Sequence, residues 1–585
     1  MQPPLPAFFP VRPAFRFEET ENGAMTDSIA TTLHETFGFQ EFRSGQREVI
    51  DRIMANRSAL AVFPTGSGKS LCYQLPALLR PGLTLVVSPL LALMKDQVDA
   101  LREKGVAAAR LDSSLDPPAR QTLMERLRAG EIRLLYVAPE RFANESFLGL
   151  VATLAIGMMV VDEAHCISEW GHNFRPDYLK LAEMAEKLSV PVVLTLTATA
   201  TPKVAADIRR AFGIAEQDLV CTGFYRPNLE LSFPAGDERD ALLQQRLKKM
   251  GPGSAIVYVT RQETAEQVAE NLHQSGFSAR YYHAGMKSEE REQVQEWFMA
   301  ADNAVVVATI AFGMGIDKEN IRGVFHYNLP KSLENYAQEI GRAGRDGKPA
   351  VCEVLGDQDD LTTLRGFIDG STPEDRQVIA LVRKLCAMEE RFSVSLSEEA
   401  GFHSMKPLTV KTLLTYLELE GVLASTGPFF TSCVFLPNRP SRQILARFDH
   451  ERAEFLRTLF RSAQKAKVWF HLDLDAAALA AASPRARVVA ALNYLDEQGD
   501  IRLRLTGGRL GYRRLWPRGK KSGEVEQKLV KRFALRAAND HKRLDQVMDF
   551  VARRGCKTKY LLDYFGEDLG KNCGHCQWCL EKGKK

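Results

Sequence analysis

Residues 62–70 read Val62-Phe-Pro-Thr-Gly-Ser-Gly-Lys-Ser70, and this stretch decides the fold of the first part of the chain. An apolar run from Ala59 to Phe63 predicts a buried strand, and an apolar segment from Leu71 predicts a helix. Between them, two glycines allow backbone N–H groups to turn toward an anion at the helix N-terminus. The stretch predicts a phosphate-binding loop, although Phe63 stands at the usual position of its first glycine. An ordinary glycine-rich turn is the alternative.

The polar residues of this loop have expected parts in nucleotide binding. Lys69 supplies a positive charge for the outer phosphates, and Ser70 can place its hydroxyl on Mg²⁺. The other loop residues expected to contact the nucleotide are Thr65, Gly66, Ser67 and Gly68.

Composition indicates a multidomain globular protein. A chain of 585 residues predicts three or more domains, and 45% hydrophobic with 26% charged residues is ordinary for a globular protein. No apolar run approaches the roughly 20 residues that span a membrane. Six cysteines are scattered and four lie at the C-terminal end, which favours a reducing, intracellular compartment and one metal site. Residues 1–25 predict a disordered tail, or an upstream start before Met25.

The net charge of +4 is small, but its distribution is uneven. Basic residues are dense between Arg502 and Lys559, with few acids among them. A nucleic-acid or other polyanion surface is the favoured interpretation, and a solvated face is the alternative.

Periodicity divides the chain into parts of different character. Unbroken apolar runs alternate with helical patterns over residues 26–215 and 216–360, which predicts two α/β domains with parallel sheets and a cleft between them. Residues 361–440 and 441–540 each show helices followed by strand-like runs. Glycine turns at Gly427-Pro428 and Gly507-Gly508 predict a hairpin in each, and hence two winged-helix-like domains, the second basic. Residues 541–585 form the remaining module.

Acids and arginines supply the chemistry expected of the cleft. Asp162 and Glu163 end an apolar strand, where the first can hold Mg²⁺ and the second can deprotonate a water. Arg342 and Arg345, three apart at a predicted helix start, can reach the γ-phosphate from the second domain. Asp317 is predicted to belong to the same cleft. A helix-start signal and a surface ion pair are the structural alternatives.

These motifs, in this order, resemble those of superfamily-two helicases, and the RecQ family in particular. Further matching segments are Ser88-Pro-Leu90, Thr195–Thr199 and residues 307–317. The resemblance implies two RecA-like motor domains. It also implies that Phe37–Gln46 recognises adenine, with Phe39 stacking on the base, Arg43 assisting and Gln46 reading its edge.

The segment Cys166–Tyr178 resembles the aromatic-rich loop of RecQ proteins. The resemblance implies that it contacts single-stranded DNA through Trp170, His172, Phe174 and Arg175. Aromatic rings can stack on unpaired bases, and a guanidinium can contact phosphate. In an arbitrary protein such rings would more often be core residues.

Four C-terminal cysteines have the arrangement of a closed zinc site, namely Cys556, Cys573, Cys576 and Cys579. Four thiolates can hold Zn²⁺ tetrahedrally, and such a site is structural. Tyr560–Glu567 resembles the helical hairpin of the RecQ zinc module. His575 is an alternative ligand to Cys573, and an unligated reduced cluster is the other interpretation.

The order of the parts departs from most of the family. The winged-helix-like elements precede the zinc module here, and the chain ends six residues after Cys579. The helical accessory domain found at the C-terminus of many family members is therefore not expected. The hairpins near Phe429-Phe430 and Gly507-Gly508 are both candidates for separating DNA strands.

The resemblance implies an ATP-dependent DNA helicase that uses ATP, Mg²⁺ and Zn²⁺. It implies 3′ to 5′ movement on single-stranded DNA, unwinding of forked duplexes and a role in recombination and repair. Single-strand-binding or repair proteins are candidate partners. The alternatives are an RNA helicase, a translocase without unwinding, and an ATP-gated platform that binds DNA structures.

Overall fold

A computed structural model describes residues 22–112, 115, 117–143, 145–168, 174–234, 238–313, 316–517 and 519–583. The predictions for Trp170 and His172 lie outside these residues, as does most of the tail predicted at the N-terminus. The first helix begins at Asn22, before Met25. Among the described residues, no helix combines the length and apolar character that a bilayer span requires.

The first sheet has seven parallel strands in the order β3-β4-β2-β5-β6-β1-β7. Its strands are β1 (Ala59–Val62), β2 (Leu83–Val87), β3 (Ala108–Leu111), β4 (Leu134–Val137), β5 (Ile156–Val161), β6 (Val193–Thr197) and β7 (Leu219–Cys221). Its helices are α1 (Asn22–Glu35), α2 (Gln46–Met54), α3 (Leu71–Leu79), α4 (Leu91–Glu103), α5 (Pro117–Arg128), α6 (Glu145–Val151), α7 (Leu181–Lys187) and α8 (Pro202–Phe212). Short 3₁₀ helices lie at Pro139–Ala143, Ala164–Ile167, Pro176–Lys180 and Glu216–Asp218.

Strand β1 shows why this sheet has apolar strands without alternation. Leu60 and Val62 pack into the core on one face, whereas Ala61 and Phe63 pack into the core on the other. Because helices cover both faces, both sets of side chains must be apolar. The prediction of a parallel sheet buried on both sides is confirmed.

The second sheet has six parallel strands in the order β10-β11-β9-β12-β13-β8. Its strands are β8 (Leu229–Ser232), β9 (Ser254–Tyr258), β10 (Ala279–Tyr282), β11 (Val305–Ala308), β12 (Ile321–His326) and β13 (Ala350–Val354). Its helices are α9 (Arg239–Met250), α10 (Gln262–Gln274), α11 (Ser288–Ala300), α12 (Leu333–Ile340) and α13 (Asp360–Asp369). Strand β7 pairs with β1, so the first sheet extends beyond the boundary predicted at residue 215. Residues 222–228, which we call the hinge, then connect the two sheets.

The third sheet is antiparallel and has five strands in the order β14-β18-β15-β17-β16. Its strands are β14 (Arg391–Val394), β15 (Leu423–Pro437), β16 (Gln464–Ala466), β17 (Trp469–Asp473) and β18 (Ile501–Arg514). Its helices are α14 (Asp375–Ala387), α15 (Leu396–Phe402), α16 (Pro407–Leu419), α17 (Ser441–Leu445), α18 (His450–Ser462), α19 (Leu474–Ala480) and α20 (Arg485–Glu497). The chain continues into α21 (Gly523–Ala552), α22 (Lys557–Tyr564) and α23 (Gln577–Gly583).

The two predicted glycine hairpins are wrong. Gly427 and Gly508 lie in the middle of β15 and β18, two long strands that pair with each other over their whole length. Gly427 faces Gly511, and Phe430 faces Gly508. A local turn rule cannot detect this pairing, because the partner of each strand lies more than 60 residues away along the chain.

The two winged-helix-like units are nested rather than consecutive. One end of the shared sheet, with Leu423 and Tyr512, belongs to the core of α14–α16. The other end, with Phe435 and Ile501, belongs to the separate core of α17–α20. Residues 431–507 thus form a second unit inserted between the two strands of the first, and no boundary at residue 440 separates them. We call residues 371–536 together the accessory domain.

Helix α21 crosses the boundary predicted at residue 541. It has 30 residues, which corresponds to about 45 Å at 1.5 Å per residue. Its first half packs into the accessory core through Leu529 and Phe533, and its second half packs into the second α/β domain through Val547 and Phe550. A single rigid element therefore connects these two domains.

Part of the predicted basic surface is paired with other groups of the protein, although Lys528 stays exposed. Lys528 pairs with Glu420, Arg532 lies over the Tyr416 ring, and the buried Arg514 donates to the Met388 carbonyl. These cations stabilise the accessory domain, so the polyanion surface predicted from residues 502–559 is smaller than their number suggested.

Because residues 431–507 form an inserted unit, we predict that their removal leaves the rest of the accessory domain folded. Because Phe430 faces Gly508, residues 431–507 can be replaced by the two-residue turn Asn-Gly, which suits an antiparallel hairpin. We expect the shortened protein to unfold cooperatively within a few degrees of the full chain in a thermal circular-dichroism scan.

A deletion of residues 424–513 serves as the control, because it also removes Tyr512 from the first core. We expect this control to lose the cooperative unfolding of the accessory domain. Equal behaviour of the two deletions would contradict the nested arrangement.

Candidate nucleotide cleft and zinc centre

The phosphate-loop geometry follows from its two glycines. Gly66 and Gly68 have φ values of +83° and +77°, in the left-handed region that disfavours side chains. A Cβ on Gly68 would lie 2.5 Å from Gln46 Nε2. The loop ends where α3 begins at Leu71, as predicted. Lys69 is half-buried in the loop and donates from Nζ to the carbonyls of Phe63 (3.1 Å) and Pro64 (3.3 Å).

Phe63, the departure from the usual loop pattern, has a structural role. Its side chain is fully buried, and its backbone N–H donates to the Thr197 carbonyl at 3.1 Å. Its ring contacts Gly45, where a Cβ would lie 2.8 Å from Cζ. Phe63 therefore continues β1 and packs against the turn that precedes α2.

The predicted adenine motif lies directly on the phosphate loop. Gln46 is only 2% exposed and donates from Nε2 to the carbonyls of Ser67 (3.1 Å) and Gly68 (2.9 Å). Arg43 donates from Nη1 to the Gly66 carbonyl at 2.6 Å. Phe39 is 50% exposed, so its ring is free to stack. In this structure Gln46 and Arg43 hold the phosphate loop by hydrogen bonds to its carbonyls, and Phe39 has an exposed ring.

Asp162 follows β5 at the carboxyl edge of the first sheet. Its Oδ2 accepts from Ser88 Oγ at 3.3 Å, and its Oδ1 accepts from the Glu163 N–H at 3.0 Å. Burial, followed by the neighbouring Glu163 charge, raises the pKa of Asp162 to about 6. A bound cation would favour the ionised form of this carboxylate.

Glu163 is held in a different environment. Its backbone is left-handed, with φ of 50°, and its Oε2 lies 3.3 Å from His165 Nδ1, which also contacts Thr197 Oγ1 at 3.0 Å. Burial opposes its charge, but His165, Lys69 and Arg342 outweigh burial and lower the pKa of Glu163. The two adjacent acids are thus shifted in opposite directions, as in sites that divide their roles.

The structure separates the two arginines predicted to act together. They follow the end of α12 at Ile340 rather than a helix start. Arg342 is buried within the second domain, where it donates to Tyr258 Oη at 2.9 Å and to the Gly313 carbonyl. Arg345 reaches across the cleft, so that its Cδ would lie 3.2 Å from a Cβ on Gly66. Arg345 thus lies against the phosphate loop, whereas Arg342 stays within the second domain, close enough for its charge to lower the pKa of Glu163.

Two other predicted residues lie beside this contact. Asp317 pairs with Arg345 on the second-domain side of the cleft. Thr65 meets Gly341 of the second domain, where a Cβ would lie 3.3 Å from Thr65 Oγ1. Ser70 stands at the N-terminus of α3, beside Lys69.

In the described part of the aromatic-rich loop, one residue expected to contact DNA is buried. Phe174 is buried against the accessory domain, 6.4 Å from the Tyr416 ring centroid and 4.6 Å from Arg536 Cζ. Its ring is therefore covered rather than offered to a DNA base. Arg175 donates from Nη1 to the Pro89 carbonyl at 3.4 Å.

The four C-terminal cysteines converge as predicted. Their Sγ atoms all lie within 4.8 Å of one another, with Cys573–Cys579 at 3.9 Å and Cys556–Cys576 at 4.0 Å. Four thiolates about 2.3 Å from Zn²⁺ would be about 3.8 Å apart, so the cluster fits a tetrahedral zinc ion. His575 instead contacts Tyr225 Oη through Nε2 at 3.3 Å, and this geometry favours Cys573 as the ligand.

The zinc module packs on the hinge, which the sequence did not predict. Phe565 stacks on Phe224 with ring centroids 4.4 Å apart, and Glu567 accepts the Phe224 N–H. Tyr225 faces His575 on the same side. The only sequence signal was the aromatic pair Phe224-Tyr225 in an otherwise polar connection.

The cleft fits a nucleotide triphosphate with its cation. The positive-φ glycines, Lys69, Ser70 and the two acids belong to the first domain, and Arg345 approaches them from the second domain. Within the described part of the chain, the buried Arg345 Nε and Thr199 Oγ1 have no hydrogen-bond partner. An N–H donor directed at the loop in this way suits an anionic ligand.

Known protein families match the first α/β domain, the second α/β domain and the zinc module. Residues 43–208 match the DEAD/DEAH box helicase family, residues 238–347 match the helicase conserved C-terminal domain, and residues 525–580 match the RecQ zinc-binding family. The solved structure of Mycobacterium smegmatis helicase Lhr bound to ssDNA and AMP-PNP aligns with a TM-score of 0.46 and 19% identity, over 63% of this chain and 54% of that chain. The assignment does not depend on this distant likeness.

Curated relatives are much more similar. ATP-dependent DNA helicase RecQ of Pasteurella multocida is 42% identical over 383 residues, 64% of this chain and 60% of the relative. RecQ of Bacillus subtilis is 41% identical over 358 residues, 60% of each chain. The probable ATP-dependent DNA helicase RecS of Bacillus subtilis is 39% identical over 369 residues, 62% of this chain and 74% of the relative. The chain thus spans about 60% of the RecQ relatives' length, and it belongs to the RecQ family of superfamily-two helicases.

Proposed function

We propose that this protein is an ATP- and Mg²⁺-dependent DNA helicase that moves 3′ to 5′ on single-stranded DNA and unwinds forked duplexes. The observation that carries the proposal is the approach of Arg345 to Gly66 across the cleft. Hydrolysis completed by a residue of the other domain depends on how the domains are arranged, which is the basis of a motor.

The chain's residues have distinct parts in this proposal. ATP with Mg²⁺ supplies the phosphoryl group that water attacks. Lys69 holds the outer phosphates, while Ser70 and Asp162 hold the cation. Glu163, which His165, Lys69 and Arg342 favour in its ionised form, orients the attacking water and accepts its proton as the phosphoryl group is transferred. Arg345 adds positive charge where negative charge develops.

The direction of movement, the forked substrate and a role in recombination or repair are proposed from membership of the family. A strand-displacement assay tests them with labelled forks that carry a 3′ tail, a 5′ tail or RNA strands. We expect displacement of the 3′-tailed DNA fork. Displacement of RNA forks alone would identify an RNA helicase, and DNA-stimulated hydrolysis without displacement would identify a translocase. Tight binding of forks with neither displacement nor stimulated hydrolysis would identify an ATP-gated platform.

Lys69→Ala tests the phosphate loop. We expect DNA-stimulated ATP hydrolysis to fall by at least about 100-fold, because the positive charge on the transferred phosphates is lost. Binding of single-stranded DNA without ATP, measured by fluorescence anisotropy, should change less than twofold.

Lys104→Ala is the matched control, since this exposed lysine ends α4 far from the loop. Its hydrolysis rate should equal that of the wild type. Full activity in Lys69→Ala would overturn the proposed function.

Alanine substitutions of Arg345 and Arg342 distinguish the roles of the two arginines. In Arg345→Ala, we expect kcat for ATP to fall by about 10³-fold, the usual contribution of an arginine finger, with the melting temperature unchanged. Arg342→Ala should instead lower the melting temperature, because Tyr258 and Gly313 lose their buried partner.

Lys348→Ala, an exposed neighbour, is the control for Arg345→Ala. If Arg345→Ala and Lys348→Ala hydrolyse ATP at the same rate, Arg345 does not act across the cleft.

Zinc is proposed to act through the hinge. Cys579→Ser should reduce bound zinc, measured by mass spectrometry of the metal, from one ion per chain to less than a tenth. DNA-stimulated hydrolysis should fall with it, because Phe565 and Glu567 would no longer hold Phe224. Cys386→Ser, outside the cluster, should retain the ion. A zinc-free variant with unchanged hydrolysis would show that the module does not support the hinge.

A further inference from the structure

The segment that follows the catalytic acids folds back onto them. Tyr178 is fully buried, and its hydroxyl donates to the Asp162 main-chain carbonyl at 2.9 Å. Its N–H donates to the Arg175 carbonyl at 3.0 Å, and the Arg175 N–H donates to the Cys166 carbonyl at 3.1 Å. The 3₁₀ helix Pro176–Lys180 is thus tied directly to the Asp162–Glu163 turn.

The outer side of this 3₁₀ helix is held by the accessory domain. Asp177 pairs with Lys411 at 2.6 Å, and Lys180 pairs with Glu418 at 2.6 Å. Lys411 and Glu418 are seven residues apart on α16, so they project from the same face two turns apart. In the first pair the accessory domain supplies the cation, and in the second pair it supplies the anion. A shifted or reversed docking would bring like charges together, so the pairs select one register.

An aromatic contact closes the same interface. Phe174 packs in the accessory core between Tyr416 of α16 and Arg536 of α21. Tyr416 in turn packs against Phe533, with ring centroids 5.5 Å apart. Because the far end of α21 packs on the second motor domain, this interface also connects the two motor domains through one helix.

The turn that receives these contacts requires support. Glu163 has a left-handed backbone, a conformation that a residue with a side chain adopts only when its surroundings enforce it. On one side, His165 and Thr197 hold its carboxylate. On the other side, Tyr178 holds the preceding residue. A shift of the 3₁₀ helix would therefore move the acids relative to Lys69.

We propose that the accessory domain is a positioning element for ATP hydrolysis. Lys411 and Glu418 hold the 3₁₀ helix Pro176–Lys180, and Tyr178 transmits its position to the Asp162–Glu163 turn. Lys411, Glu418 and Tyr178 are positioning residues, since none of them contacts the nucleotide cleft. The ATPase part of this proposal rests on the proposed function. Movement of the accessory domain on DNA would then change hydrolysis directly, without passing through the hinge.

The first test reverses one charge of the interface in the full chain. Lys411→Glu places a carboxylate against Asp177, and we expect kcat for ATP to fall about tenfold while KM changes less than twofold. Adding Asp177→Lys should restore kcat to within threefold of the wild type. Lys406→Glu is the matched control, because this lysine of the same helix region donates to Ser371 instead of the motor domain. An unchanged kcat in Lys411→Glu, or failure of the reversed pair to restore it, would overturn the proposal.

The second test removes only the hydroxyl that reaches the acids. Tyr178→Phe keeps the buried ring and the ion pairs, and we expect kcat to fall several-fold without a change in melting temperature. A wild-type kcat in this variant would show that Tyr178 transmits nothing to Asp162.

A third measurement does not require hydrolysis. Amide hydrogen exchange of residues 162–180, without nucleotide, should accelerate in Lys411→Glu and return to the wild-type rate in the reversed pair. If the wild type hydrolyses no ATP, the proposed function fails, while this exchange pattern still supports the link. If the wild type hydrolyses ATP and exchange is unaffected by Lys411→Glu, the link fails alone.

Discussion

The structure depends on one constraint, the absence of side chains on Gly66 and Gly68. The Gln46 amide occupies the space beside Gly68, and the Arg345 side chain occupies the space beside Gly66. The loop is therefore held from both sides, by its own domain at Gly68 and by the second domain at Gly66. Any side chain at either position would displace one of these contacts. The same absence of Cβ atoms lets the backbone N–H groups face a phosphate.

The pKa values of the two cleft acids are set by burial and by the charges of their neighbours, which differ between the two. Asp162 and Glu163 are adjacent in sequence and equally removed from water, yet their pKa values shift in opposite directions. Glu163 gains His165 and two cations, whereas Asp162 has Glu163 as its nearest strong influence after burial. A carboxylate with a raised pKa gains most from a divalent cation, and one with a lowered pKa is ready to accept a hydrogen bond from water. The site thus assigns different chemistry to two like groups.

Two structural connections join the motor domains outside the cleft. The zinc module packs on Phe224 and Tyr225 of the hinge, and α21 joins the second motor domain to the accessory domain, which is docked on the first. The first connection is built around four cysteines that fit a zinc ion, and the second is a single helix of 30 residues. Relative motion of the two sheets must therefore bend the hinge against the zinc module or move the accessory domain.

The sequence by itself determined the elements whose signals are local. Largely apolar runs identified the parallel sheets, because strands covered on both faces have few polar positions. The order of the loop, the acids, the arginine pair and the four cysteines resembles that of a known family, and this resemblance identified the cleft and the zinc centre.

Only the tertiary structure decided what depends on distant partners. Gly427 and Gly508 have the composition of hairpin turns, but they lie in two strands that pair across an inserted unit. Phe174 and Arg536, expected to contact nucleic acid, contact each other. Arg342 and Arg345 have the same charge and nearly the same position in sequence, but one is buried on Tyr258 and the other crosses the cleft. A residue's type sets what it can bind, and which partner it meets is set by the packing of elements that are far apart in the chain.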